Sequence, residues 1–181
     1  LTAPAALGSS ESPPLNLGLV IDRSGSMSGG KLEQAKLAVE QIIDLLRAQD
    51  SLSIVIFDDQ VRVLAETDST GPLTHTELKQ MVRGVYPGGS TNLGGGWLQG
   101  CQNVARRQSR DKVNRTLLLS DGQANVGIVD ANELGQHASE IFERGVSTST
   151  FGIGLGFNEH LMERIANQGG GNFYYIGHDQ Q

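Results

Sequence analysis

The sequence predicts an α/β protein: a doubly wound, mainly parallel sheet of about six strands, one of them an antiparallel edge strand, with helices on both faces. Three observations carry this. Short apolar runs alternate with segments of helical periodicity along almost the whole chain. The helical segments begin on capping residues. One pair of apolar runs is joined by only "DDQ", too short for the crossover that parallel neighbours need and right for a hairpin.

The elements follow in order. Residues 1–14, "LTAPAALGSSESPP", hold three of the five prolines and no periodicity, and read as an extended lead-in to a domain over 15–181. Strand-like runs lie at 15–21, 52–57, 61–65, 116–119, 146–153 and 172–176. Between them, Leu32, Ala35, Val39, Ile42, Ile43 and Leu46 form one apolar helix face. Trp97, Cys101, Val104 and Ala105 form a second, Leu134, Ala138, Ile141 and Phe142 a third, and Leu161, Met162, Ile165 and Ala166 a fourth. Thr74 with Glu77 and Asp130 with Glu133 have capping-box spacing, and Asn158 suits an N-cap.

Composition bounds the function. With 181 residues, 38% of them hydrophobic, the chain can build one real core. A net charge of −6 argues against a general nucleic-acid binder. The basic stretch "RRQSRDKVNR", residues 106–115, reads as a helix end and solvated linker. Cys101 is the single cysteine, so no internal disulfide is possible, and its spacing from Trp97 makes it a core thiol. No apolar stretch approaches a membrane span, so direct membrane insertion is not expected. These features favour a cytoplasmic protein and leave an exported or membrane-anchored parent open. The sequence starts at Leu1, not Met, and reads as a processed or excised piece of a larger chain or complex.

In a doubly wound sheet, ligands bind outside the carboxyl ends of the strands where strand order reverses. Three polar loops converge on that edge: "DRSGSMSGGK" after the first strand, "YPGGSTNLGGG" before a helix, and "SDGQANVG" after another strand. Asp22, Ser24 and Ser26 stand at alternate positions, and Thr91 and Asp121 add a hydroxyl and a carboxylate. All five donors are oxygens, a hard-cation set suited to Mg²⁺ or Mn²⁺. Asp58 and Asp59 read as turn formers, and His75, His137, His160 and His178 as solvated residues with no metal-ligand spacing.

"DRSGS", the Thr of "GGSTN" and the Asp of "LLSDGQANVG" together resemble the metal-ion-dependent adhesion site of von Willebrand factor A domains, in a bacterial-type version. The resemblance covers roughly residues 15–176. It implies a Rossmann-like fold and metal-dependent protein binding, not catalysis. It implies that Ser24, Ser26 and Thr91 contact Mg²⁺ directly, that Asp22 and Asp121 act directly or through water, and that an Asp or Glu of a protein partner completes the coordination. The family commonly has a helix after the last strand; here it is expected to be absent or truncated.

The rival reading is a metal-dependent phosphotransferase or hydrolase with Asp22 as nucleophile. Haloacid-dehalogenase-type enzymes need a second Asp two residues on, where Ser24 stands. "GGSTNLGGG" lacks the Lys of a phosphate-binding P-loop, and "GSMSG" has Met27 where a nucleophile elbow needs Ser.

Overall fold

The computed structural model describes residues 12–67 and 73–177; residues 1–11 of the lead-in and His178 lie outside the described residues. Six strands form one sheet: β1 (Leu15–Asp22), β2 (Ser51–Phe57), β3 (Val61–Thr67), β4 (Val113–Ser120), β5 (Ser147–Ile153) and β6 (Gly170–Ile176). Their spatial order is β3-β2-β1-β4-β5-β6. Only β2 and β3 pair antiparallel, across the "DDQ" hairpin. The other four pairings are parallel. The chain leaves β1 toward β2 on one side and returns through β4 on the other, so the reversal of strand order falls between β1 and β4.

The helices are α1 (Lys31–Leu45), α2 (His75–Arg83), α3 (Leu93–Arg106), α4 (Ala131–Glu143) and α5 (Glu159–Gln168). Strand alternation sorts their partners. Leu17, Leu19 and Ile21 of β1 pack with Leu32, Ala35, Val39 and Ile43 of α1 and with Leu78 and Val82 of α2. Val20, Val55 and Phe57 face the other way, onto Leu93, Trp97 and Cys101 of α3, Leu134 and Ala138 of α4, and Leu161, Met162 and Ile165 of α5. The caps explain the helix starts. Thr74 and Glu77 form a full capping box, Asp130 accepts from Glu133 N, and Asn158 accepts from Leu161 N. Among the described residues no helix follows β6.

Two details of the helix faces differ from the periodic reading. Phe142 is half exposed and covers Gly170 at the start of β6 instead of entering the core. Ala105 is exposed because α3 turns its last residues to solvent. The basic stretch is more than a solvated linker. Lys112 Nζ donates to Ser51 Oγ at 3.2 Å, Arg115 Nε to Ser147 Oγ at 3.0 Å and Arg107 to the Leu52 carbonyl at 3.1 Å, tying together the amino-terminal ends of β2, β4 and β5.

Helix α3 lies close on the sheet because it carries glycine at the contact. A Cβ on Gly100 would stand 2.3 Å from Val20 Cγ2. A side chain there must push the helix off the strand or force Val20 out of its rotamer, which costs about 1–3 kcal/mol or more. Gly100→Val is therefore expected to lower the unfolding free energy by about 2–3 kcal/mol in denaturant titration. Gly88→Ala, at a position with no atom within 4 Å of the added carbon, should stay within about 0.5 kcal/mol of wild type.

Candidate metal centre

Strand β1 ends on a carboxylate with no exposure to solvent. Both Asp22 oxygens are used: Oδ1 accepts from Ser24 N at 2.8 Å, and Oδ2 accepts from Ser120 Oγ at 2.7 Å. Ser120 Oγ in turn accepts from Gly122 N at 2.8 Å. The end of β4 thus reaches across to hold the end of β1. Burial is the largest influence on Asp22 and raises its pKa to about 6; the hydrogen bonds from Ser120 and Ser24 oppose it, and the charge of Asp121 adds to it.

The chain after Asp22 makes a single tight turn, residues Gly25–Met27. It brings the hydroxyls of Ser24 and Ser26 within 3.1 Å of one another. Ser24 is fully buried, whereas Ser26 is exposed and forms the solvent side of the set. Met27, buried in the α1-side core, pins the turn from below.

Thr91 comes from the loop before α3. That loop is seated on the turn by Gly25 N donating to the Gly89 carbonyl at 3.0 Å and Gly88 N donating to the Arg23 carbonyl at 2.8 Å. Gly89 has φ +69°, and a Cβ on it would lie 2.2 Å from Asp59 Oδ1. Only glycine both adopts that backbone and fits against Asp59. On its other side Thr91 exchanges backbone bonds with the Asp121 loop: its N donates to Asn125 Oδ1 at 2.8 Å, and its carbonyl accepts from Asn125 N at 3.0 Å and Val126 N at 3.1 Å. Thr91 is buried between the two loops.

Asp121 follows β4 and is fully buried. Its Oδ1 accepts from Gln123 N at 3.3 Å, and its Oδ2 accepts from Lys31 Nζ at 3.3 Å. The structure therefore places all five residues singled out from the sequence, Asp22, Ser24, Ser26, Thr91 and Asp121, in three interlocked loops at the switch in strand order.

Three contributors were not singled out from the sequence. Ser120 reads as the polar end of a strand, and its role needs β4 to lie beside β1. Asp58 does form its turn, accepting from Gln60 N at 2.8 Å, but it also pairs with Arg23 at 2.9 Å and so braces the "DRSGS" segment. Lys31 reads as a helix start; a cation in the first turn of a helix is the one signal that marks it.

The donor set fits a hard divalent ion. Two buried carboxylates stand beside three hydroxyl-bearing residues, and a cation, the Lys31 ammonium, already sits on one of the carboxylates. Among the described residues no group of three or more His, Cys, Asp or Glu is assembled for a metal, so a site here must draw on hydroxyls, as hard-cation sites do.

The raised Asp22 pKa sets a sign for stability. Folded protein holds the Asp22 proton more tightly than the unfolded chain, so this residue favours folding at low pH, and the advantage is lost as pH rises from about 4 to about 6. In chelator, the stability of Asp22→Asn relative to wild type is expected to rise by as much as about 3 kcal/mol as the pH of the urea titrations goes from 4.5 to 8, on top of a constant loss for the acceptor of the Ser120 hydroxyl. A gap independent of pH would contradict the assignment.

Comparison with known proteins identifies the family and the fold. Residues 16–181 match the family model for the von Willebrand factor type A domain. The uncharacterized protein YfbK of Escherichia coli (strain K12) is 35% identical over 170 residues, covering 93% of this chain and 29% of that protein. The chain thus spans less than a third of that relative. Among solved structures, BatB from Bacteroides thetaiotaomicron superposes with a TM-score of 0.71 at 16% identity, covering 90% of each chain. Proximal thread matrix protein 1 from the mussel byssus, with a zinc-occupied MIDAS motif, superposes with a TM-score of 0.68 at 20% identity, covering 91% of this chain and 44% of that one.

Proposed function

The chain belongs to the von Willebrand factor type A family, and from that premise we propose that it is a Mg²⁺- or Mn²⁺-dependent protein-binding module. Asp22, Ser24, Ser26, Thr91 and Asp121 hold the ion, and an Asp or Glu of the partner protein reaches it from solvent. The observation that carries this reading is the buried pair Asp22 and Asp121 set beside three hydroxyls at the switch point, with only Ser26 on the open side. A bound ion would supply an electrophilic centre able to take one more hard oxygen ligand, for which a carboxylate is the best available donor. The zinc-occupied motif of the mussel protein supports a divalent ion in this fold. The absence of Cys and His from the donor set favours Mg²⁺ or Mn²⁺ here.

The residues of the chain perform the rest. Ser120 and Ser24 N fix the Asp22 carboxylate so that its oxygens do not have to reorganise. Asn125 fixes the Thr91 backbone. The loops at this edge expose Leu155, Tyr86 and Val126, apolar ground on which a protein surface can pack around one anchoring acid. The net charge of −6 opposes an acidic partner only weakly, since screening confines it to about 8–10 Å. Catalysis by Asp22 is the weaker reading: Ser24 stands where a haloacid-dehalogenase-type enzyme needs its second carboxylate.

Calorimetric titration with Mg²⁺, Mn²⁺ and Zn²⁺ tests the ion. Asp22→Ala is expected to remove most of the Mg²⁺ or Mn²⁺ affinity, and equal affinity in wild type and variant would overturn the assignment. A partner captured from the source lysate should be lost both in chelator and with Asp22→Ala bait.

A second expectation concerns Thr91. Its structural bonds are made by its backbone, so Thr91→Ala should cost less than about 1 kcal/mol in chelator. The same change should weaken metal affinity and partner capture, and Thr91→Ser should restore both. A large loss of stability in chelator would show that the side chain serves the fold.

A further inference from the structure

We propose that Lys31 is a built-in counter-cation of the Asp121 carboxylate, which metal entry must work against. It thereby sets the affinity of the site for the ion. The inference rests on the metal reading above and adds a residue outside the five oxygen donors.

Three observations lead to it. The Lys31 ammonium stands 3.3 Å from Asp121 Oδ2, with Asp121 fully buried and Lys31 27% exposed. One end of the pair is therefore in the protein and the other at the mouth of the site. Second, Lys31 is the first residue of α1, and its N-cap is Gly30, with no side-chain cap. A cation there faces the positive end of the helix dipole, where an acidic side chain is favoured instead. The helix gives no reason for a lysine; the Asp121 carboxylate does.

Third, the path of the side chain is prepared. Gly154, after β5, has φ +81°, and a Cβ on it would lie 2.7 Å from Lys31 Cε and 3.0 Å from both Cδ and Cγ. The bare backbone forms a trough for the aliphatic stem and aims the ammonium at Asp121. This is a placed charge, unlike the solvated lysines of an ordinary surface.

Lys31 then has two opposite effects. Without metal it neutralises one of two carboxylates buried at the same strand ends and so supports the fold. When a divalent ion approaches, the same charge repels it and competes for Asp121. A residue that merely braced the loop would not separate these effects.

The test compares wild type, Lys31→Met and Lys31→Arg as the 181-residue chain at pH 7.5 and fixed salt, by Mg²⁺ and Mn²⁺ calorimetry and by thermal melting in chelator. Lys79→Met, a half-buried lysine paired with exposed Asp44 away from the site, controls for net charge. Lys31→Met is expected to melt lower than wild type in chelator yet bind the ion about tenfold tighter or more, the scale on which a neighbouring charge moves an ionic equilibrium. Lys31→Arg keeps the charge and should stay near wild type in both readouts, and Lys79→Met should leave affinity unchanged within about twofold. Metal affinity in Lys31→Met that is unchanged or weaker than wild type overturns this inference alone. Absence of metal binding in every protein overturns it together with the metal reading.

Discussion

The hydrogen bond from Ser120 to Asp22 closes the carboxyl end of the sheet, and the arrangement of the site depends on it. Strands β1 and β4 are neighbours with parallel register, so their last residues come level. A carboxylate ends one strand and a hydroxyl the other, joined at 2.7 Å. Because Asp22 is inaccessible, it cannot turn to water for solvation, and the two donors it has must stay in place. The turn carrying Ser24 and Ser26, and the loop that begins at Asp121, are launched from these two strand ends. Their relative positions follow from the pairing of β1 with β4, which this contact closes.

Much of this was legible in the sequence, for a definable reason. Features that depend on local periodicity or local chemistry emerged intact: the six strands, the hairpin between β2 and β3, and the three N-caps. Asp22, Ser24 and Ser26 were legible because the alternate spacing of oxygen side chains just past an apolar run has few structural explanations. Thr91 and Asp121 were legible only through the fold class, which brings their polar loops to the edge where Asp22 ends its strand, and the resemblance to a family then joined the five into one pattern. What stayed hidden depends on neighbours made by topology. Ser120 acts only because β4 lies beside β1. Lys31 reaches Asp121 only because α1 starts beside the loop after β5. Phe142 sits on a periodic face of α4 but covers an exposed strand end, which periodicity cannot distinguish from core.

The interlocking of the loops also has a physical cost that the sheet absorbs. The 86–91 loop takes a positive φ at position 89 that favours glycine, and Asp22 and Ser24 are held in burial with their polar groups engaged inside the protein. Such an arrangement is stable only over a rigid base. The strands below supply it: β1, β2 and β4 are buried almost throughout, with Leu19, Ile21, Ile54, Phe57, Leu118 and Leu119 inaccessible to solvent. The close seating of the loops is thus paired with a well-packed core beneath them.

The two ends of the sheet divide the work by charge. At the amino-terminal edge cations meet hydroxyls, carbonyls and the carboxylates of Glu66 and Asp50; Asp50 accepts from Leu15 N and from Arg47, and these bonds hold its pKa below the usual carboxylate range in spite of burial. At the carboxyl-terminal edge burial outweighs the donors, and Asp22 is pushed the other way. The difference is one of supply. Asp50 has a guanidinium and two backbone amides, whereas Asp22 has one amide and the hydroxyls of Ser120 and Ser24, none of them charged, and feels a second carboxylate. The first edge is electrostatically complete and serves as a clamp. The second keeps a demand for positive charge that Lys31 answers only in part, and the proposed ion would meet the rest.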